Sequence, residues 1–357
     1  MIYNKFFPIP KFLTMSSVGF DISDHSIKFV ELKKTSKGLF LGKFGKQKIP
    51  KGVLELGKIK DTKKLIKILN DLRHKYNLNL IRVSLPEEQV YIFNIILPKI
   101  KNKEIRNTIE LQLEDHIPIS ANESVFDYNI ISEQDDKYNI QVVVLSREVI
   151  ESYLDIFKQS GLTPVSFELE AQASSRAVIP EGDQGTYMIV DFGDTLTGVS
   201  VVSQGIVSFN STIDIGGSLL TEMVQKGLKI DFDEAEKLKK KYGLKKNLDN
   251  KELFPILLSS VSVLRDEINK HYVYWHTHKD ENGKDKKKID KIILCGGNSN
   301  LIGLSDYLST SIRTSVRIAD VWININSFSN DIPEITFNDS LGYATAIGLS
   351  LGNFFHD

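Results

Sequence analysis

Apolar and polar residues alternate along two stretches of the chain, from residue 18 to 41 and from residue 187 to 213. Alternation with a period of two is typical of β-strands with one buried face, and turn residues interrupt it twice in each stretch. Both stretches therefore predict three consecutive strands. An aspartate ends the first strand in each case, Asp21 and Asp191, and the two positions are 170 residues apart. We infer a duplicated structural unit rather than a solenoid repeat.

Between and after these stretches, apolar residues recur every three or four positions, which is typical of amphipathic helices. The first such helix places Leu65, Leu69 and Leu72 on one face, and Pro118 lies just beyond the end of the second. The predicted helices are Asp61–Tyr76, Lys101–Asp115, Arg147–Ser160, Leu219–Lys226, Asp233–Tyr242 and Pro255–His276. Strands and helices thus alternate, which favours the α/β class.

The composition excludes several classes of protein. The 357 residues include 45 Lys and Arg against 46 Asp and Glu, so the chain has no basic excess for binding nucleic acid. The single cysteine, Cys295, forms neither an internal disulfide nor a cysteine-rich zinc site. No predominantly apolar run of about 20 residues occurs. We expect a soluble protein of a reducing compartment, with two domains or one bilobed domain, no export signal and a short N-terminal arm at residues 1–16.

The motifs of several common catalytic sites are absent, namely G-x-x-x-x-G-K-[ST], H-E-x-x-H and G-x-S-x-G. Three points remain at which an apolar strand passes into small polar residues: after Asp21, after Asp191, and at Gly296 and Gly297, where Asn298 is predicted to open a helix. Turn amides and hydroxyls can bind phosphate oxygens, and aspartates can bind Mg²⁺. Each point alone is also ordinary turn chemistry.

The order of these three points along the chain resembles the arrangement in the PilM family, the cytoplasmic actin-like proteins of type IV pilus assembly, which are relatives of FtsA. The stretch after Leu97 is the most family-specific part of the resemblance. The matching segments are Val18–Leu32 and Val190–Gly193 (two phosphate motifs), Leu97–Pro118 (start of the inserted subdomain 1C), Glu168–Ala173 and Leu341–Leu349 (connecting helices), and Ile215–Thr221, Ala235–Lys239 and Leu294–Leu304 (adenosine-binding segments).

The resemblance implies duplicated actin-like (ribonuclease H-like) lobes around a nucleotide cleft, with an inserted FtsA-like 1C subdomain. The implied organisation is an N-terminal arm (1–16), the first part of lobe I or 1A (17–90), the insert 1C (91–166), a connecting helix with the rest of 1A (167–186), lobe II or 2A/2B (187–340) and a C-terminal connecting helix returning to lobe I (341–357).

The resemblance also implies ATP and Mg²⁺ as cofactors and assigns roles to individual residues. Asp21 and Asp191 fall on metal-binding positions, and Glu170 on the position that can orient the attacking water. The implied nucleotide-binding residues are Asp21, Ser23, Ser26, Lys28, Asp191, Gly193, Thr195, Gly216, Gly217, Glu236, Lys239, Gly296, Gly297 and Asn298. The sequence departs from the family pattern at three positions: Ser23 replaces a usual glycine, Gly198 a common Asp, and Asn298 a third small residue.

The implied function is that of an ATP-binding scaffold at the cytoplasmic face of the inner membrane. It would bind the cytoplasmic N-terminal tail of PilN as an extended peptide beside subdomain 1C and couple it to the pilus motor ATPases, with ATP hydrolysis at most slow. Two alternatives stay open: a nucleotide-dead interaction module of a related pilus or secretion machine, and a small-molecule phosphotransferase of the same superfamily. A phosphotransferase should have a substrate pocket in the insert, and residues 91–166 offer only ordinary surface charges.

Overall fold

The computed structural model of the protein describes residues 16–134, 136–246, 250–280, 283–325 and 332–355. These residues form two five-stranded mixed β-sheets, here called lobe I and lobe II, and a three-stranded sheet inserted into lobe I, here called the insert. Most of the predicted N-terminal arm lies outside the described residues. No helix in the described part of the chain is both long enough and apolar enough to cross a lipid bilayer.

Lobe I starts with an antiparallel meander, as the alternating pattern predicts. Its first elements are β1 (Val18–Ser23), β2 (Ser26–Thr35), β3 (Gly38–Lys48), a hairpin of β4 (Leu54–Glu55) and β5 (Lys58–Ile59), α1 (Thr62–Tyr76) and β6 (Leu80–Leu85). The side chain of Asp61 caps α1 by accepting a hydrogen bond from the Lys64 amide, 3.0 Å away. The face of α1 predicted to be apolar is buried against the sheet.

The insert has its own core. It consists of β7 (Val90–Pro98), α2 (Asn102–His116), β8 (Ser124–Gln134) and β9 (Lys137–Ser146), with the antiparallel order β7-β9-β8. Because Ile105, Ile109 and Leu113 lie on one face of α2, they are buried together against the apolar face of β9. Because β9 lies between β7 and β8, these two strands are the edges of the sheet.

The chain returns to lobe I earlier than residue 166, the predicted end of the insert. It continues through α3 (Arg147–Gln159), β10 (Thr163–Leu169) and α4 (Glu170–Val178). The apolar face of α3, including Tyr153 and Phe157, packs in one core with Phe20 and Phe29 of lobe I. Strand β10 pairs in parallel with β6. Residues 147–166 thus belong to lobe I by packing, which the helical pattern of this segment alone does not reveal.

Lobe II repeats the sheet of lobe I. Its elements are β11 (Thr186–Phe192), β12 (Thr197–Ser203), β13 (Ile206–Ile213), α5 (Gly217–Leu228), α6 (Phe232–Tyr242), α7 (Leu253–Thr277), β14 (Lys291–Cys295), α8 (Leu304–Ile312) and β15 (Val316–Ile318). The sheet orders are β3-β2-β1-β6-β10 in lobe I and β13-β12-β11-β14-β15 in lobe II, so an antiparallel meander is followed by two parallel strands in both. The predicted duplication is confirmed.

Two crossed helices connect the lobes. The short α9 (Phe337–Ser340) and a single 3₁₀ turn lead into α10 (Ala344–Leu351), which packs on α4. A side chain on Gly348 would place its Cβ only 1.6 Å from the Ala173 carbonyl oxygen, and one on Gly19 would lie 2.0 Å from the Ala346 carbonyl oxygen. Small residues are therefore required for this close packing, and the space above the crossing forms a cleft between the lobes.

Candidate functional site

The cleft between the lobes has a volume of about 830 Å³ and is lined by residues of both. The carboxyl ends of the first strands of the two sheets meet there, as expected for ligand sites in α/β folds. The cleft brings together most of the residues predicted from the sequence: Asp21, Ser23, Ser26, Lys28, Glu170, Asp191, Gly193, Thr195, Glu236, Gly297 and Asn298. Four other predicted residues do not line the cleft, namely Gly216, Gly217, Lys239 and Gly296.

On the lobe I side, Asp21 lies near the end of β1 and is held in place from two directions. The Ser84 hydroxyl of β6 donates to Oδ1 of Asp21 at 3.1 Å, and the Lys28 ammonium lies 3.5 Å from Oδ2. Burial disfavours the charged form of Lys28, but the carboxylates of Asp21, Asp191 and Glu170 outweigh burial and raise its pKa. Lys28 is thus a charged group placed among acidic residues.

The turn after β1 forms with serine at position 23. The Ser23 hydroxyl donates to the Ser26 carbonyl at 3.1 Å and lies 3.4 Å from the Ser26 hydroxyl. Asp24 accepts the amides of Leu56 and Gly57, at 2.7 and 3.1 Å, and so ties the turn to the β4–β5 hairpin. Two hydroxyl groups therefore face the cleft from a fixed turn.

On the lobe II side, Asp191 near the end of β11 occupies the position that matches Asp21. Burial raises its pKa to about 6; Lys28 lowers the pKa and Asp21 raises it. The turn that follows is closed by the Gly193 amide, which donates to the Asp191 carbonyl at 3.1 Å and to the Leu196 carbonyl at 3.0 Å. The two strand-end aspartates are thus close enough for their charges to interact across the cleft.

The glycines at the start of α5 hold the second turn rather than line the cleft. The Gly217 amide donates to the Gly193 carbonyl at 3.0 Å, and the Ser218 amide to the Asp194 carbonyl at 2.9 Å. A Cβ on Gly216 would lie 2.3 Å from the Asp194 carbonyl oxygen. Because the turn itself accepts these first amides, the N-terminus of α5 fixes the turn through a direct backbone contact.

Helix α6 turns Glu236 toward the cleft and Lys239 away from it. Lys239 is 2% exposed, and its ammonium donates to the Gly217 carbonyl and the Thr221 hydroxyl, both at 2.8 Å, and lies 2.7 Å from Glu236. Burial alone would raise the pKa of Glu236, but the hydrogen bonds from Lys239 and Thr221 outweigh burial and lower the pKa to about 2. The structure therefore differs from the predicted role of Lys239, because its bonds to Gly217 and Thr221 hold α6 against α5 and it does not line the cleft.

The Gly-Gly segment after β14 forms the back of the cleft. Gly296 has φ +91°, and a Cβ there would lie 2.4 Å from Oδ1 of Asp191, so glycine is required. The Asn298 side chain donates to the Gly193 carbonyl at 3.0 Å and accepts from Lys239 at 3.3 Å. The predicted helix does not start at Asn298: α8 begins at Leu304, after Gly303 in the left-handed region.

Glu170 is the first residue of α4 and lines the cleft from below. Burial and the nearby carboxylates of Glu87 and Asp21 raise its pKa well above the usual value. Glu87 follows β6, and burial together with Asp191 raises its pKa to about 7, although the Ala171 amide donates to it at 2.8 Å. Glu87 was not predicted from the sequence, although it shares a signal with the two aspartates, namely a carboxylate close to the end of an apolar strand.

Three lysines at the rim of the cleft were also not predicted from the sequence. Lys46 and Lys48 lie on one face of β3 and line the cleft, with Lys240 of α6 on the opposite side. Burial and the charges of Lys28 and Lys240 lower the pKa of Lys46. Alternation along β3 was the available signal, because it places both residues on the same face as Lys28 and Ser26 of the paired strand.

These features define a class of protein. Two lobes of the same sheet order, joined by crossed helices and carrying matched aspartate turns on either side of a cleft, constitute the actin-like ATPase fold. The family model of the type IV pilus assembly protein PilM matches residues 19–354. The chain belongs to this family, as the resemblance in the sequence predicted.

Solved structures are similar over nearly the whole chain. A PilM-PilN type IV pilus biogenesis complex matches with a TM-score of 0.79 and 18% identity, over 96% of this chain and 100% of the other. MreB5 of Spiroplasma citri bound to ADP matches with a TM-score of 0.57 and 13% identity, over 94% and 95% of the two chains. These similarities confirm the predicted fold.

Curated relatives are cell division proteins. FtsA of Staphylococcus epidermidis is 20% identical over 245 residues, which are 60% of this chain and 51% of the relative. FtsA of Neisseria meningitidis serogroup B is 26% identical over 106 residues, 29% of this chain and 26% of the relative. The matches thus span about half the length of these relatives or less, and they agree with the predicted relationship to FtsA.

Proposed function

We propose that this protein is an ATP-binding scaffold of the type IV pilus inner-membrane assembly complex, and that nucleotide acts on it chiefly as a conformational ligand. The observation that carries the proposal is the pair of carboxylates near the ends of matching strands, Asp21 and Asp191, with the Lys28 ammonium close enough to interact with both. A cation and a polyphosphate together would neutralise both kinds of charge at this point. Contacts with both lobes would then favour the closed cleft.

The donors in the cleft fit Mg²⁺. The oxygen atoms of Asp21 and Asp191 are hard ligands, and their mutual repulsion in a buried site is relieved by a divalent cation. Among the described residues, no three His, Cys, Asp or Glu side chains are grouped as a metal cage. Mg²⁺ commonly binds through one or two carboxylates while phosphate and water supply its other ligands. Asp21 and Asp191 would therefore hold the ion together with the bound nucleotide.

The nucleotide would lie along the cleft. Hydroxyl groups of Ser23, Ser26 and Thr195 and the amides of the two turns suit the phosphate oxygens. Farther along the cleft, Phe232 and Ile335 provide apolar surface for a base, and Glu236 provides a carboxylate that can accept from ribose hydroxyl groups. The cleft thus offers groups that suit the phosphates, the ribose and the base of a nucleoside triphosphate.

Hydrolysis in this cleft would be slow. Glu170 is the residue expected to orient a water, and burial with the nearby carboxylates raises its pKa well above the usual value in the ligand-free protein. No other group of the cleft is assigned as a base, so catalysis would rest on positioning and charge neutralisation. The bound nucleotide would therefore last long enough to hold one conformation of the lobes.

The partner in this proposal is the cytoplasmic N-terminal tail of PilN, bound as an extended peptide to the insert. An edge strand can pair with such a peptide through its main chain, and β7 and β8 are the edges of the insert sheet. The solved structure that matches with a TM-score of 0.79 is a PilM-PilN complex. Binding to this tail would place the protein at the cytoplasmic face of the inner membrane and couple it to the pilus motor ATPases.

Calorimetry with ATP and Mg²⁺ tests the proposal, with phosphate release followed in the same samples. We expect micromolar binding to the wild type, at least a tenfold loss in Asp191→Ala, and turnover far below about 1 per second. Asp71→Ala is the matched control, because Asp71 is exposed on α1 outside the cleft. A folded wild type that does not bind ATP would refute nucleotide control and leave a peptide-binding module.

A further inference from the structure

Glu87 lies where four parts of the molecule meet. It follows β6 of lobe I, in the 3₁₀ turn Glu87–Gln89, and β7 of the insert begins one residue after that turn. Its Oε1 accepts the amide of Ala171 in the connecting helix α4, 2.8 Å away. The 3₁₀ turn also packs against β13 of lobe II, where the Asn210 side chain lowers the pKa of Glu87. Glu87 thus has neighbours in both lobes while it lines the cleft.

The space that the Glu87 carboxylate occupies is the space left open by a glycine of lobe II. Gly198 of β12 is the direct pairing partner of Asp191 on β11. A Cβ on Gly198 would lie 3.3 Å from Oε2 of Glu87 and 3.8 Å from Cβ of Asp191. A side chain at Gly198 would therefore point at the same spot beside Asp191 that Glu87 reaches from the opposite lobe.

We propose that Glu87 supplies, from lobe I, the carboxylate that flanks Asp191 on the β12 side, and that it stabilises bound Mg²⁺ with its water ligands. The inference rests on the proposed nucleotide function and adds a third acidic residue to Asp21 and Asp191. The bond from α4 and the packing against β13 orient the carboxylate before any ligand arrives, and such preorganisation is what a site for a hydrated cation needs. Glu87 acts on the nucleotide through the ion.

Moving the carboxylate from one lobe to the other tests this role. The variants are Glu87→Ala, Gly198→Asp and the double variant, each titrated with ATP in Mg²⁺ and again in EDTA. We expect Glu87→Ala to weaken Mg²⁺·ATP binding about tenfold and to strengthen ATP binding in EDTA, because a negative charge facing the phosphates is lost. Gly198→Asp adds a like charge beside Glu87 and should also weaken Mg²⁺·ATP binding.

The double variant gives the decisive result. Since the new aspartate would occupy the space vacated by Glu87, Mg²⁺·ATP affinity should return to within about threefold of the wild type. A purely structural role for Glu87 predicts additive losses and equal effects with and without Mg²⁺, and either result would overturn the proposal. A wild type that binds no ATP would instead refute the proposed function itself.

The variant Glu87→Gln is a control for the possibility that Glu87→Ala misfolds. The amide keeps an oxygen that can accept from Ala171, so its fold is maintained even where Glu87→Ala is damaged, and melting temperatures check both variants. We expect the glutamine variant to lose Mg²⁺·ATP affinity like the alanine variant, and to melt higher than the wild type without ligand because a repelling charge is absent. Wild-type Mg²⁺·ATP affinity in Glu87→Gln would contradict the proposal.

Discussion

Two lysines face each other across a strand pair at the rim of the cleft. Lys28 on β2 and Lys46 on β3 are direct partners in the register, and like charges in this relation destabilise a sheet. The Asp21 carboxylate, 3.5 Å away, neutralises Lys28. Among the residues the structure describes, Lys46 has no such ion pair. An uncompensated ammonium group beside two hydroxyl-bearing turns suits an anionic ligand, which would offset its repulsion from Lys28.

At the residue scale we therefore predict that Lys46→Met weakens Mg²⁺·ATP binding about tenfold, and ADP binding less, because ATP carries the greater charge. A charge-assisted hydrogen bond is worth about 1.5–3 kcal/mol, which corresponds to a tenfold change or more. Calorimetry measures both affinities. Lys34→Met is the control, since it removes the same charge from an exposed position of β2 outside the cleft. Equal affinities in the two variants would exclude Lys46 from the site.

The sequence was sufficient to predict site residues that lie near the end of a strand. Asp21 and Asp191 were predicted because each ends a strand of clear period, and the structure places both in the cleft. Glu87 was missed because its importance depends on contacts with lobe II that no local pattern encodes. Lys239 and Lys240 are neighbours on one helix, and only the packing of α6 on α5 decides which of them is enclosed.

At the scale of elements, helices and strands were predicted closely, but their assignment to a structural unit was not. The predicted helix Arg147–Ser160 exists as α3, yet its apolar face belongs to the core of lobe I rather than to the insert. A hydrophobic stripe shows that a helix packs, whereas the identity of its neighbour depends on the tertiary fold. The same limit applies to α8, which starts after a turn that glycine at position 303 permits.

The prediction at the scale of elements concerns the two edge strands of the insert. Tyr91 on β7 and Ile130 on β8 are 37% and 43% exposed, so each edge strand has one large exposed side chain that can test it. A peptide that extends the sheet would contact the exposed side chains of the strand it joins. We expect either Tyr91→Asp or Ile130→Asp to weaken binding of a synthetic PilN tail peptide about tenfold, measured by fluorescence anisotropy.

Leu111→Asp is the control for the edge variants. Leu111 is 86% exposed on α2, so the variant introduces the same charge into the same subdomain away from both edges. If neither edge variant binds the peptide more weakly than Leu111→Asp does, the tail does not extend the sheet, and the proposed mode of docking is wrong.

At the scale of the whole molecule, the cleft collects buried acidic groups that cost stability when they ionise. Burial, aided by mutual repulsion, raises the pKa of Asp191 from 3.8 to about 6, that of Glu87 from 4.5 to about 7, and that of Glu170 well above 4.5. In the unfolded chain these groups ionise at their ordinary values. At these three groups the folded protein therefore holds more protons than the unfolded chain between about pH 4.5 and 7, which outweighs the opposing contribution of His271, whose pKa burial lowers.

We predict that the free energy of unfolding of the ligand-free protein falls as pH rises from about 5 to about 7, since the folded state must give up these protons. Mg²⁺ with ATP should reduce this slope, because a bound cation favours the ionised carboxylates. Guanidinium chloride unfolding at a series of pH values measures it. Glu87→Gln, which removes one of the groups, should have a shallower slope than the wild type; stability that rises with pH would contradict this account.

The insert interrupts one of two otherwise equivalent lobes. In lobe I it lies between β6 and β10, whereas α8 and its loops join the corresponding strands of lobe II, β14 and β15. A pull on the insert therefore reaches lobe I through two covalent connections, but reaches lobe II only through noncovalent contacts such as the bond from Gln141 to the Val207 carbonyl. Tension applied there would load lobe I directly and lobe II only through those contacts. A fold with two sheets of the same strand order thus transmits force asymmetrically.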